Sequence, residues 1–558
     1  MNRTSSLGEF LEQYRRYHPE DVFGVNRDID VEYESTAYYK LLEEKNPLIW
    51  VSNVTGYPDF QLVTNVMGSR RRLAFALGLD SESKLYETLN DALNSKSEIL
   101  VSDENPPIKQ RVFEGKDADL YSLPVVRHYS GDGSHTGFGR YITAGLAVAR
   151  DPLSPETINM SFTRIQIIDR DKYAFDMGSR SHFWRYVQSA KQAGKSLPIS
   201  VVVGAHPLFY LLAASFIEDE YSIAAKLIGA TFTNGVTHDV PVPSEAEIVI
   251  EADVSPDEYY QEGPCAEFTG YMAARTTGNV ASVKAILRRA KPIYYDIQPS
   301  NSNEHNGLFT TPRNAKISRI MAEVLPPGAT YKIEWPLISA SLLALCSLPN
   351  AEPGIAKQAG LGLLALNALL SKIVIVNEGD CELELERFLA NLSVTGARNG
   401  DNVHIIADVF AIRIDPTSSQ DGTNGKMIIV TKNSGLAYRK FATPDFVQLV
   451  SGNSAVVISR KPRAEARVNI IVGDDIGLQN SNQIVWALSM RLRPDRDVTF
   501  GENGKIVFDT TRTTKTLEVP SLPPDVLKRI SSEIKSSGAQ SRAGGLAINI
   551  ISSFLLAS

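Results

Sequence analysis

The sequence predicts an α/β (α+β) chain in three parts: an N-terminal α/β region (residues 1–115), a β-rich, barrel-like middle domain (116–335) and a C-terminal α/β domain (336–558). Three observations predict it. At 558 residues the chain exceeds what one hydrophobic core usually organises. From about 116 to 335, β-type runs alternate with Pro/Gly/Asp turns. After 336, strand-like and helix-like stretches alternate, the pattern of a largely parallel sheet.

Composition narrows the function classes. Apolar residues make up 43% and charged residues 22%, with 38 Gly and 29 Pro, as in an ordinary globular protein. The net charge of −7, without a basic tract, argues against nucleic-acid binding by phosphate neutralisation. Cys265, Cys346 and Cys381 are too few and too widely spaced for a disulfide framework or a zinc knuckle, and point to a reducing compartment. The N-terminus lacks the apolar core of a secretory signal. Residues 198–217 are apolar, but Pro198, Gly204, His206 and Pro207 interrupt them, which predicts a strand, a turn and a short helix rather than a membrane span. A soluble cytoplasmic protein is expected.

In chain order, the first element is an amphipathic helix around Leu7 to Tyr14, followed by a strand at LIWVSNV. In QLVTNVMGSRRRLAFALGL, Gly68 and Ser69 separate a strand from a helix. That helix start, with Arg70, Arg71 and Arg72, suits an anion, although a solvated basic helix start is the plainer reading. The middle domain reads as strands at YITAGLAVAR, INMSFTRIQII, ISVVVGA, AEIVIEADV and YMAARTTG. Helices near Ser181–Gln192 and Ile223–Ile228 interrupt them. The C-terminal domain carries a weak internal duplication over 371–434 and 468–512. There KIVIVNEGD, ELERFLANL, GDNVHII and GKMIIV recur in order as VNIIVGDD, NQIVWALSMRL, DRDVTF and GKIVFD. A helical tail follows Pro520, then the apolar Leu546 to Leu556, which would bury best against its own domain or another subunit.

Three groups of residues carry possible chemistry. In INMSFTRIQII, strand alternation puts Asn159 and Ser161 on one face and Arg164 on the other. In QEGPCAEFTGY, Glu262 and Glu267 would lie on opposite faces of an ideal strand, but a turn at Gly263–Pro264 brings them around one cationic group. Two carboxylates in one site repel, so one tends to hold a proton and can donate it, while an arginine between them keeps the other ionised. Asn159, His182 and Glu220 offer an amide oxygen, an imidazole and a carboxylate, a set suited to Mn²⁺ or a similar ion. Each group also has a structural reading: an ion-paired arginine, two surface glutamates at a turn, a histidine at a helix start. His305, in the polar stretch NSNEHNGLF, is expected in a loop lining a pocket together with Phe309. The chain has no nucleophile elbow, Walker loop, Rossmann fingerprint or zinc set.

Taken together, these segments resemble the UbiD family of prenylated-FMN-dependent decarboxylases. The resemblance runs through FQLVTNVMGSRRRLAFALGL, YITAGLAVARDP, NMSFTRIQIID, SHFWRYVQ and AAKLIGA, and is densest at VPVPSEAEIVIEADV and EGPCAEFTGY. The family pattern places an arginine after an Asn-containing strand and two glutamates in E-G-P-x-x-E-x-x-G-Y; here these are Arg164, Glu262 and Glu267. The resemblance implies a split β-barrel flavin-binding middle domain flanked by an N-terminal α/β region and a C-terminal α/β oligomerisation domain. It implies prenylated FMN and Mn²⁺ as cofactors, and admits K⁺. Asn159, His182 and Glu220 match the metal ligands, completed by the cofactor phosphate; Thr143 and Ser161 match polar contacts to the cofactor. Arg164 matches the residue beside the flavin, Glu267 the acid that protonates the product, and Glu262 the partner that orients Arg164. Lys372 and Lys461 both match the lysine that meets the cofactor phosphate.

The implied reaction is reversible, non-oxidative decarboxylation of an aromatic, heteroaromatic or α,β-unsaturated carboxylic acid. A flavin prenyltransferase would supply the cofactor, and a homodimer or homohexamer is expected. Two alternatives share the scaffold: a carboxylase or ring-activating enzyme working in the reverse direction, and a non-catalytic assembly subunit.

Overall fold

The computed structural model describes residues 4–536 except 94–96, 136–137, 178–180, 216, 218, 274–275, 353, 366–370, 413 and 513–516, and the side chains of 318–319. The apolar run Leu546–Leu556 and parts of SRSHFWRY and YMAARTTG lie outside the described residues. The chain divides into two compact units. One runs to Ala315 and resumes at Val519; the other is Lys316–Glu518.

The first unit opens with the helix Leu7–Tyr17, whose N-cap Ser6 accepts the Glu9 N–H and whose Leu7, Phe10, Leu11 and Tyr14 are buried. Strands β1 (Val22–Ile29) and β2 (Leu48–Val54) pair in parallel, as the intervening helix Glu34–Leu42 requires, and β3 (Gln61–Thr64) joins β2 antiparallel. Ser69 caps the helix Arg70–Ala76 by accepting the Arg72 N–H. The basic helix start is used inside the fold rather than left open to an anion. Arg72 is fully buried, 2.8 Å from Asp21 and bonded to the Asn46 carbonyl, and Arg71 pairs with the same Asp21.

Next come β4 (Arg111–Glu114), β5 (Tyr141–Arg150), β6 (Ile158–Ile167), β7 (Lys172–Phe175) and β8 (Leu197–Val203). A ribbon of β9 (Phe232–Asn234) and β10 (Pro241–Pro243) precedes the long β11 (Ile248–Glu262). A second, very short ribbon, β12 (Cys265–Ala266) and β13 (Met272–Ala273), leads into β14 (Thr276–Arg288). Strands β11, β8, β5, β6, β7 and β14 pair in that order, all antiparallel, and β14 closes back onto β11. The middle of the chain is therefore a closed six-stranded β-barrel, with β4 added on the free side of β14. Finally β15 (Ile293–Asp296) pairs in parallel with β3 and completes a four-stranded sheet. That pairing and a shared apolar core tie the barrel to the N-terminal sheet.

In the second unit, β16 (Lys332–Glu334), β17 (Leu343–Leu348), β18 (Ile373–Glu378), β19 (Val403–Phe410) and β20 (Thr423–Lys432) form a sheet ordered β16-β17-β18-β20-β19. Its three central strands are parallel and its two edges antiparallel. The next sheet consists of β21 (Tyr438–Ala442), β22 (Phe446–Ser451), β23 (Ser454–Ser459), β24 (Val468–Ile471), β25 (Val498–Phe500) and β26 (Ile506–Asp509). Beyond an extra edge strand, β21, its order β22-β23-β24-β26-β25 repeats the first sheet strand for strand and sense for sense. The backbone bonds repeat too: Met427 N–H donates to the Lys372 carbonyl as Ile506 N–H does to that of Arg467.

Candidate active site

Barrel closure carries Arg164 of β6 toward the end of β11. Glu262 is the last residue of β11; Gly263, with a left-handed φ of +94°, turns the chain out of the strand. The β12–β13 ribbon then folds back, and its tip closes with Glu267 N–H donating to the Tyr271 carbonyl and Gly270 N–H to that of Glu267. Two carboxylates five positions apart in sequence thus meet one guanidinium. Arg164 Nε and Nη2 donate to Glu262 Oε1 at 3.0 and 2.9 Å, and Nη1 donates to Glu267 Oε1.

The three groups are unequally exposed: the side chains of Glu262, Glu267 and Arg164 are 1%, 13% and 25% accessible. Burial pushes the Glu262 carboxyl above its ordinary range, against the pull of Arg164. Burial also disfavours the charged form of Arg164, but the Glu267 and Glu262 carboxylates beside it more than reverse that. Cys265, buried between them, has its thiol raised well above the usual value by burial, so it carries no thiolate chemistry near neutral pH.

Beside this trio lies a cavity of about 170 Å³. Its polar end is Arg164, Glu267 and Thr143; its flat walls are Phe162, Phe268, Phe309 and His305. The rings of Phe268, His305 and Phe309 lie 5.3–5.9 Å apart and inclined at 40–72° to one another, a packed aromatic wall. Glu267 lines the cavity, whereas Glu262 sits behind it. A larger cleft of about 290 Å³ beside the first helix has its charges, Glu12 and Arg15, already paired at the surface. Convergent polar groups therefore single out the smaller cavity.

His305 departs from the sequence expectation. It is not in a loop but in the first turn of the helix Asn303–Val324, where Ser302 Oγ accepts its N–H in N-cap fashion. It does line the cavity, and burial pushes its imidazole down, so the ring is neutral near pH 7. Thr143 also lines the cavity, but its hydroxyl is engaged. It donates to Asp296 Oδ1 at 3.0 Å and accepts the Ile297 N–H. Asp296 in turn pairs with the fully buried His128 at 2.8 Å.

Of the second expected group, the structure brings Asn159, Ser161 and His182 together at β6. Regular alternation puts Asn159 and Ser161 on the strand face opposite Arg164; the compensating bulge, Thr143 and Ala144 against Arg164, is in β5. Asn159 Nδ2 donates to Ser161 Oγ at 2.9 Å, and Asn159 Oδ1 meets His182 Nδ1 at 2.8 Å, with His182 opening the helix His182–Gln192. Glu220 is buried at the start of the helix Glu220–Ile228. Adjacent ligands of an octahedral ion held at ~2.1 Å are ~3.0 Å apart, so the Asn159–His182 spacing fits a shared divalent cation. Both candidate lysines, Lys372 and Lys461, lie in the second unit. Lys372 is buried there, held by Asp415 at 3.2 Å and Thr417 at 2.9 Å.

Sequence reasoning missed Gln166, His128, Asp296 and Phe268. The only signal was a polar residue inside an apolar strand, as with Gln166 in TRIQII.

Comparison with known proteins agrees with the fold. Residues 99–302 match the Rift-related domain of the 3-octaprenyl-4-hydroxybenzoate carboxy-lyase family, 19–92 its N-terminal domain and 462–515 its C-terminal domain. The chain belongs to the UbiD family. It is a carboxy-lyase. A phenolic acid decarboxylase of Escherichia coli O157:H7 is 24% identical over 407 residues, 69% of this chain and 82% of the relative. An anhydromevalonate phosphate decarboxylase of Methanosarcina mazei is 26% identical over 390 residues, 69% and 86%. The UbiD-class enzyme HmfF from Pelotomaculum thermopropionicum, solved with FMN, superposes with a TM-score of 0.69 at 26% identity, covering 79% of this chain and 97% of that one. An evolved dimeric form of HmfF, solved with prenylated FMN, gives 0.67 at 25% identity, with 79% and 97% covered.

Proposed function

We propose that the chain is a prenylated-FMN-dependent decarboxylase of an aromatic, heteroaromatic or α,β-unsaturated carboxylic acid, with Glu267 as proton donor. The observation that carries the reading is the Glu262–Arg164–Glu267 trio at the mouth of an aromatic-walled cavity. When bound, prenylated FMN supplies the electron sink that side chains lack for the carbanion left when CO₂ departs from an sp² carbon. Asn159, His182 and Glu220 would hold a divalent ion, Mn²⁺ or similar, against the cofactor phosphate, with Ser161 beside them. A flavin prenyltransferase would supply the cofactor.

The chain's own residues do the rest. The aromatic walls exclude water and align a planar acid. Arg164, bonded through its fork to both carboxylates, fixes them relative to each other. Glu267 reaches the cavity, so it is the group placed to deliver a proton where the carboxylate has left; Glu262, enclosed behind it, holds Arg164 in place.

The test is to purify the chain after co-expression with a flavin prenyltransferase, record its flavin spectrum, and screen unsaturated and aromatic acids for CO₂ release. Glu267→Gln is expected to keep the flavin and lose about 10²–10⁴-fold in turnover, the usual weight of a general acid. Full turnover by that variant would remove Glu267 from the mechanism. A protein that emerges without flavin would remove the cofactor.

A further inference from the structure

The turn that delivers both carboxylates is held by two side chains besides Arg164. Tyr141 of β5 and Gln166 of β6 are register partners, so their side chains stand on the same face of the barrel wall. Gln166 lies two residues beyond Arg164 and shares its face. Its Oε1 accepts the Gly263 N–H at 3.0 Å, and the Tyr141 hydroxyl donates to the Pro264 carbonyl at 3.2 Å. A third bond, from Gly133 N–H, reaches the same carbonyl at 2.8 Å.

Gln166 is fully buried, and its amide nitrogen has no hydrogen-bond partner among the described residues. An unpaired buried N–H is a cost, and an apolar residue would avoid it. What only an oxygen at this position provides is an acceptor for Gly263, the hinge between Glu262 and the ribbon that carries Glu267.

We propose that Gln166, with Tyr141, is a positioning residue: by holding Gly263 and Pro264 it sets the spacing of Glu262 and Glu267 about Arg164. Its effect on catalysis rests on the decarboxylase reading above; its effect on the turn does not.

The test compares amide hydrogen exchange across residues 261–271 in the wild type, Gln166→Leu and Gln166→Glu, alongside turnover of the flavin-loaded enzymes. Gln166→Leu removes the acceptor, and exchange in this segment should rise about tenfold or more while that of β5 and β8 stays unchanged. Gln166→Glu keeps an oxygen facing Gly263 and should retain wild-type protection. In the loaded enzyme Gln166→Leu should lose about 10²-fold in kcat, as a displacement near 1 Å does, with KM moving only severalfold.

Should Gln166→Leu not fold, Gln166→Asn, one methylene too short to reach, takes its place with the same expectation. Unchanged exchange in the Leu or Asn variant, or Gln166→Glu exchanging as fast as Gln166→Leu, overturns the clamp. A wild-type chain that releases CO₂ from none of the acids overturns the decarboxylase reading instead and leaves the exchange comparison intact.

Discussion

One cation shared by two carboxylates decides what each of the three residues can be replaced by. Arg164→Leu would leave Glu262, almost wholly enclosed, without its countercharge. Breaking a buried pair from one side usually costs about 3–5 kcal/mol, so we expect a loss of that order in denaturant unfolding of the first unit, together with loss of turnover. Arg164→Lys keeps the charge but not the fork, and should restore stability better than activity. A second residue-scale expectation concerns pH. Glu304 is fully buried and accepts from Asn65 N–H, Met67 N–H and the Tyr295 hydroxyl, yet burial outweighs these donors and raises it to about 7. Glu247 is likewise raised to about 7. Because these folded-state values lie above the unfolded ones, their contribution is present below about pH 4.5 and is lost as pH rises through 7. The melting temperature should therefore fall from pH 5 to 8, and Glu304→Gln should flatten that slope by up to about 1.4 kcal/mol per pH unit. At this scale the sequence revealed the residues whose chemistry is unusual for their surroundings, Arg164 in an apolar strand and two glutamates around Gly-Pro. It concealed Gln166, His128 and Asp296, because a polar side chain in an apolar run declares nothing until its partner, over a hundred positions away for His128, is seen.

Among the elements, the barrel strands were readable because a strand buried on one or both faces must be apolar in period two or continuously, as YITAGLAVAR and ISVVVGA are. The helix that holds His305 was not. NSNEHNGLF is polar and Pro312 falls inside the same helix, so local propensity argued for a loop, while Ser302 capping and burial of Leu308, Ala315, Ile317 and Met321 produced 22 helical residues. Ser302→Ala should cost about 1 kcal/mol in thermal unfolding. The two sheets of the second unit show how an element can be copied while its details drift. Lys372 and Arg467 precede the equivalent strands β18 and β24, but Lys372 is enclosed with Asp415, whereas Arg467 donates to the Ser393 and Val394 carbonyls. Lys372→Met leaves Asp415 without its countercharge and should destabilise this unit by about 3–5 kcal/mol in urea titration.

For the whole molecule, the sequence places boundaries near 115 and 335, whereas the chain divides at Ala315/Lys316 and Glu518/Val519. Periodicity identifies elements but not which of them pair. The β15–β3 ladder joins segments from opposite ends of the first unit, and only the fold makes that visible. The helix Pro524–Ser536 belongs to that unit as well. Val526, Ile530 and Ile534 are buried there, Arg529 pairs with Glu34 at 2.6 Å, and Glu533 bonds both Arg27 and Tyr38. Ile530→Ala should cost about 2–5 kcal/mol and, in calorimetry, lower the transition of the first unit while leaving that of the second in place. The return of the chain at Val519 also bears on its synthesis. A ribosome makes Lys316–Glu518 as one uninterrupted stretch, which can fold as it emerges. The surface around Glu34 and Tyr38, made long before, waits through nearly five hundred further peptide bonds for the helix that covers it. The unit that holds Glu262 and Glu267 is begun before Lys316–Glu518 is made and completed after it.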